Sequence, residues 1–105
     1  MADWIYFIHP PRDEFAATMT DEERAVWAAH FSHLQSLAVD GRLILAGPTL
    51  GTVNTGVCVF EADDEPAARA VMESDPAIAS GIGTGELRGF RASLLRGRDD
   101  PPATR

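Results

Sequence analysis

The chain has 105 residues, of which 45% are hydrophobic, and this length fits a single domain. Its formal net charge of −7 argues against nucleic acid and against anionic membranes as partners, because binding phosphates requires a basic face. The sequence has no apolar run of about 18 residues and no basic signal-peptide start, so it predicts a cytoplasmic protein without a membrane segment.

The first predicted element is a strand over residues 3–9. This segment is rich in β-branched and aromatic residues, both of its alternating faces are largely apolar, and Pro10 and Pro11 close it. Residues 10–19 show no clean hydrophobic period. They are therefore predicted to be a connection.

A helix is predicted from Thr20 to about Val39, because Thr20 and Glu23 have the spacing of a capping box. At about 100° per residue, the apolar side chains of this helix fall on one continuous face that also contains His30. That face consists of Val26, Trp27, His30, Phe31, Leu34, Leu37 and Ala38. His33 falls at its edge, so the geometry distinguishes the two helical histidines.

The second half of the chain predicts two strands, a helix and a last strand. The strands cover residues 42–46 and 56–62, the helix begins within residues 63–66, where an aspartate N-cap precedes Pro66, and runs to about Glu73, and the last strand covers residues 86–95. A turn-like stretch over residues 76–85 lies between. The order strand, helix, strand, strand, helix, strand predicts an α+β domain with the split βαβ, ferredoxin-like βαββαβ fold.

The domain is expected to cover residues 1–95. Residues 96–105 are polar, contain two prolines and are predicted to be a disordered tail. Two helices cover only one face of a four-stranded sheet, and the first and third strands are apolar on the other face as well. An open apolar sheet is an association surface, so the sequence predicts a homodimer that stacks sheet on sheet.

No metal and no cofactor are expected. His30 and His33 have no accompanying carboxylate motif for a metal, and the glycine-rich residues 81–85 lack the Lys-Ser/Thr ending of a phosphate loop. Cys58 is the single cysteine and sits in an apolar run, so it is interpreted as a packing residue.

Three segments resemble the YCII-related family. Residues 30–48 begin with the helical His30 and end in Ala-Gly-Pro at Pro48, which is similar to the family signature. Asp75-Pro76 followed by Gly81 is similar to its second mark, and the exit of the first strand, through Pro-Pro-Arg at residues 10–12, resembles a branch of the family. The resemblance covers about residues 3–95. It implies a dimeric α/β barrel with a pocket between sheet and helices, and His30 and Asp75 as the functional pair.

The resemblance leaves the activity open. Members of the family are mostly uncharacterised; some resemble or act as small lyases that eliminate chloride, and the fold is shared with muconolactone isomerase and cofactor-free monooxygenases. It implies a small cofactor-independent lyase or isomerase, of the dehydrochlorinase or muconolactone-isomerase type, acting on a small anionic or aromatic metabolite. A non-catalytic ligand-binding or accessory dimer and a cofactor-free oxygenase are the alternatives.

His30 and Asp75 carry the predicted chemistry. An imidazole titrates near neutrality, and a carboxylate bound to one ring nitrogen fixes its tautomer, which suits proton abstraction next to a carbonyl. The alternative is purely structural, with His30 packed in the helix face and Asp75 capping a turn.

Four residues are the predicted substrate contacts. Arg12 and Arg42 are candidates to clamp a carboxylate, unless they are only solvated charges. His9 stands at a strand end, where it either faces a cleft or simply precedes the proline stop. Pro48 is expected at the pocket rim.

Overall fold

The computed structural model describes residues 2–99 of the chain. Four strands and four helices follow one another along these residues. They are β1 (Ala2–His9), α1 (Phe15–Thr18), α2 (Asp21–Val39), β2 (Leu43–Pro48), β3 (Gly56–Ala62), α3 (Glu65–Glu73), α4 (Pro76–Ala79) and β4 (Thr84–Phe90).

The four strands form one sheet in the order β2-β3-β1-β4. Each neighbouring pair is antiparallel, and the register places Tyr6 of β1 opposite Cys58 of β3 and Leu87 of β4. This order and direction are those of the split βαβ arrangement, in which each helix crosses from one strand to a non-adjacent one. The predicted α+β, ferredoxin-like fold is confirmed.

Helix α2 begins with the capping box that the sequence predicts. The Thr20 hydroxyl accepts from the Glu23 N–H at 3.1 Å, and the Glu23 carboxylate accepts from the Thr20 N–H at 2.9 Å. On the predicted apolar face, Leu34 and Leu37 are buried in the core, whereas Phe31 is 60% exposed. That exposed part of the face lines a cavity described below.

The short helices α1 and α4 were not predicted, and the limits of β1, β2 and β4 differ from those predicted. Strand β2 continues through Pro48 because it is an edge strand, where a proline leaves no sheet hydrogen bond unmade on its free side. Strand β4 ends at Phe90 instead of residue 95.

Beyond β4 the chain folds back locally. The Ala92 N–H donates to the Asp3 carboxylate at 3.1 Å, and the Asp99 N–H donates to the Leu95 carbonyl at 2.8 Å. The predicted tail, residues 96–105, overlaps this turn at residues 96–99. Residues 100–105 lie outside the described residues.

The two faces of the sheet differ. Tyr6, Ile8 and Phe60 point to the helix side and form the centre of the core. Ile5 and Phe7 alternate with them and point to the other side, which no helix of residues 2–99 packs against. No helix in this range is long and apolar enough to cross a bilayer.

Candidate active site

Asp75 lies between α3 and α4 and is completely buried, with 0% of its surface exposed. It is the N-cap of α4: its Oδ1 accepts from the Ala77 N–H at 2.9 Å. The Tyr6 hydroxyl, from the middle of β1, donates to its Oδ2 at 2.6 Å. The turn aspartate is therefore held by the sheet as well as by its own helix.

His30 reaches the same carboxylate from α2. Its Nδ1 lies 2.8 Å from both Oδ1 and Oδ2 of Asp75, and its side chain is only 14% exposed. Since an ionised carboxylate only accepts hydrogen bonds, Nδ1 carries the proton and donates it. When this imidazole is neutral, its lone pair is on Nε2, the nitrogen that can act as a base.

The electrostatics of the cluster give one negative charge on Asp75. Burial alone would raise the pKa of Asp75, but the hydrogen bonds from His30, Tyr6 and the Ala77 N–H lower it below its ordinary value. Burial, with the nearby Cys58 and Asp75, raises the pKa of Tyr6, so its hydroxyl stays a donor. Burial also raises the pKa of the Cys58 thiol to about 12. The Tyr6 hydroxyl and the Cys58 thiol, which lie near this carboxylate, therefore remain protonated at neutral pH.

A cavity of about 520 Å³ lies between α2 and the sheet, and His30 forms part of its wall. Most of the wall is apolar, with Phe15, Trp27 and Leu34 among its residues. Its polar side chains within residues 2–99 are His30, Gln35, Asn54 and Cys58, and none of its lining residues is Asp, Glu, Lys or Arg. Asp75 stands behind His30, away from the cavity surface.

Three of the predicted site residues come together. His30 and Asp75 are in direct contact, and Pro48 lines the same cavity. His33 is not among the lining residues, and its Nε2 is buried without a hydrogen-bond partner among the described residues.

The other three predicted contacts lie elsewhere. His9 points to the helix-free face of the sheet, where its Nε2 meets Glu86 at 2.9 Å. Arg12 makes a bidentate pair with Glu23, at 2.8 and 2.9 Å. Arg42 stands 3.5 Å from Asp40 at the surface. None of the three lines the cavity.

Tyr6 and Phe15 are the site residues that the sequence reasoning missed. A signal for Tyr6 was present, because a tyrosine on an otherwise apolar strand face needs a buried hydrogen-bond partner. Phe15 belongs to the connection of residues 10–19, where its ring is 2% exposed and packs edge-on against Trp27, with centroids 4.7 Å apart.

Comparisons with known proteins find a matching family profile and a solved structure of similar fold. The sequence profile of the YCII-related domain matches residues 4–88. No curated protein matches the sequence. Among solved structures, the 5-chloro-2-hydroxyhydroquinone dehydrochlorinase TftG from Burkholderia phenoliruptrix AC1100, in complex with 2,5-dihydroxybenzoquinone, is similar, with a TM-score of 0.63 and 18% identity over 84% of this chain and 93% of that chain. At this level of identity the likeness shows a shared fold.

Proposed function

The chain belongs to the YCII-related domain family, and from this premise we propose that it is a small cofactor-independent lyase or isomerase. In this proposal His30 moves a proton on a small aromatic metabolite bound in the cavity. The observation that carries it is the buried carboxylate of Asp75 on Nδ1 of a histidine that lines the cavity, so that Nε2 is the ring nitrogen without a hydrogen bond among residues 2–99.

The geometry suits general base catalysis. Nε2 accepts a proton from a hydroxyl or from a carbon next to a carbonyl, and Asp75 stabilises the imidazolium that forms. The electron pair left on the substrate forms a new double bond. In a lyase that pair expels the leaving group as an anion, and the imidazolium then gives its proton to water; in an isomerase Nε2 returns the proton to a different carbon.

The volume and the side chains of the cavity limit the class of ligand that it can bind. Its volume of about 520 Å³ is within the usual range for small-molecule sites. Because the described wall contains no arginine or lysine, it offers a carboxylate no guanidinium or ammonium group with which to form an ion pair. We therefore favour a hydroxylated or quinone-like aromatic ring over a carboxylate-bearing metabolite. TftG was solved with 2,5-dihydroxybenzoquinone, which makes that compound a suitable probe.

The experiment compares wild type with His30→Gln and with His33→Gln as a matched control on the same helix. The assay is a panel of hydroxylated benzenes with and without halogen substituents, read by halide release and by ultraviolet spectra, with probe binding measured by calorimetry. We expect His30→Gln to lose turnover by about 100-fold or more while the Kd for the probe changes far less. His33→Gln is expected to keep the wild-type turnover and the wild-type Kd for the probe.

The same experiment separates the alternative. A non-catalytic binding protein would turn over no member of the panel, and His30→Gln would change only the Kd. Full turnover in His30→Gln would contradict the proposal for this residue, and oxygen uptake with an electron-rich ring would favour an oxygenase instead.

We also propose that the protein is a homodimer joined through the helix-free face of the sheet. This face presents Ile5 and Phe7 of β1 beside Val59 of β3, and Leu45 of β2 is 52% exposed, while the His9–Glu86 pair lies on the same face. The apolar part of this face is stabilised when a second copy covers it.

A further inference from the structure

Asp75 is a buried anion whose hydrogen bonds come from three different elements. Tyr6 on β1 holds Oδ2 at 2.6 Å, the Ala77 N–H of α4 holds Oδ1 at 2.9 Å, and Nδ1 of His30 on α2 lies 2.8 Å from both oxygens. Within residues 2–99 none of its partners is an arginine or a lysine. When His30 is neutral, this interior charge is therefore balanced only by dipoles.

The orientation of the carboxylate depends on one side chain besides His30. Nδ1 of His30 is equally far from both oxygens of Asp75, so the carboxylate has to be held in the orientation in which both oxygens face the imidazole. The backbone of α4 fixes only Oδ1. The hydroxyl of Tyr6 fixes Oδ2, and its distance of 2.6 Å is that of a charge-assisted O–H···O⁻ bond.

We propose that Tyr6 is a positioning residue that acts through Asp75 and so sets how readily His30 accepts a proton from the ligand. It does not line the cavity and is completely buried, so its effect has to pass through the carboxylate. This inference rests on the proposed role of His30 as a base and names a further residue on which that role depends.

The direction of the effect follows from the charges. The Tyr6 hydrogen bond is stronger to an isolated carboxylate than to one already paired with an imidazolium. It therefore stabilises the state with neutral His30 more than the state with charged His30. This lowers the affinity of the His30–Asp75 pair for a further proton.

Few other titratable groups act on this pair. Cys58 of β3 lies opposite Tyr6 and stays protonated, because burial raises its pKa to about 12. On α2 itself, His33 is one turn further along. The parts of the cavity wall formed by β2 and by residues 15–19 carry no titratable side chain.

The test is the imidazole titration of residue 30 in Tyr6→Phe, which removes the hydroxyl and leaves the ring in the core. Two-bond ¹H–¹⁵N spectra of the full chain, recorded from about pH 5 to pH 9, report the tautomer and the midpoint. We expect the midpoint to rise by about 0.5 unit or more relative to wild type. His9, on the other face of the sheet, is the internal control and is expected not to shift.

An unchanged midpoint in folded Tyr6→Phe would overturn the inference. If Tyr6→Phe does not fold, incorporation of 3-fluorotyrosine provides a second measurement, since Tyr6 is the single tyrosine of the chain. Its more acidic hydroxyl is a stronger donor, so the midpoint is expected to fall, and a constant midpoint would overturn the inference equally. Neither titration needs a substrate, so failure of the proposed activity would appear in the turnover of His30→Gln and not here.

Discussion

At the scale of single residues, Asp75 has both a structural and a chemical role. It caps a helix of one turn, and it orients an imidazole that stands between the core and the cavity. These roles are linked, because the turn that buries the carboxylate also brings it to His30. An interpretation of Asp75 as a cap and one of Asp75 as a functional residue are therefore compatible.

Because Asp75 has both roles, we expect its removal to lower the free energy of unfolding more than the removal of Asp64, another aspartate that caps a helix. Asp64 caps α3 at the surface, where it accepts from the Ala67 N–H at 2.9 Å, so Asp64→Ala is expected to lower the free energy of unfolding by about 1 kcal/mol. Asp75→Ala leaves Tyr6 and His30 without their buried partner and is expected to cost about 3 kcal/mol or more. Urea denaturation measures both. Equal losses would mean that the buried contacts contribute little.

The Cys58 thiol predicts a loss of stability at alkaline pH. Its pKa is raised from 9.0 to about 12 in the folded chain, so its contribution is complete below pH 9 and is lost as the pH rises toward 12. Between about pH 8 and pH 10.5 this loss amounts to roughly 2 kcal/mol. Urea midpoints at both pH values are expected to fall further for wild type than for Cys58→Ala. Parallel falls in the two proteins would contradict the assignment.

At the scale of elements, a glycine directly before β4 allows the chain to approach the core closely. A Cβ on Gly83 would lie 2.5 Å from Cγ2 of Ile8 and 3.1 Å from the carbonyl oxygen of Ala77. Within β4 itself, a Cβ on Gly89 would meet nothing closer than 3.8 Å, at the Trp4 ring. These two positions offer a matched pair of substitutions.

Gly83→Ala is expected to lower the free energy of unfolding by about 1–3 kcal/mol, because Ile8 and α4 have to move. Gly89→Ala is expected to change it by less than about 0.5 kcal/mol. Thermal and urea unfolding compare the two variants directly. If Gly83→Ala were as stable as Gly89→Ala, the packing of α4 against β1 would be looser than described.

The elements that the sequence predicts are those whose signals are local. Helix α2 was predicted because Thr20 and Glu23 lie within one turn, and β3 because its apolar run is continuous. Helix α1 was missed because a single turn has no period and depends on distant partners. The Glu14 N–H donates to the Thr52 carbonyl at 2.7 Å, and the Ala16 N–H donates to Asn54 at 3.0 Å.

In the candidate site, too, the contacts that matter join residues far apart in the sequence. The meeting of His30 and Asp75 was anticipated from the family resemblance, since no local pattern joins residues 45 positions apart. Arg12 was expected at the substrate, but Glu23 serves both the capping box and this arginine. Neither the spacing of these residues nor their charge shows that the Glu23 carboxylate both caps α2 and pairs with Arg12.

At the scale of the whole molecule, the cavity and the proposed dimer interface lie on opposite sides of one sheet. The helix side contains His30 and the cavity, and the free side presents Phe7 and its apolar neighbours. The interface proposal predicts that wild type is a dimer at micromolar concentration by light scattering.

Phe7→Asp is expected to shift the protein to monomer, because burying an unpaired charge between two sheets is unfavourable. Leu50→Asp is the matched control, since Leu50 is 89% exposed in the loop after β2. It is expected to leave the mass unchanged. A monomeric wild type, or a Phe7→Asp variant that remains a dimer, would contradict an interface on this face.

A crystal structure of the chain soaked with 2,5-dihydroxybenzoquinone shows whether Nε2 of His30 faces a bound aromatic ring inside the cavity. We expect density for the ring between α2 and the sheet, with one hydroxyl or carbonyl oxygen of the ring about 2.6–3.2 Å from Nε2, and Nδ1 still bound to Asp75. A ring bound outside the cavity, or one inside it with no polar atom near His30, would rule out the proposed role of His30.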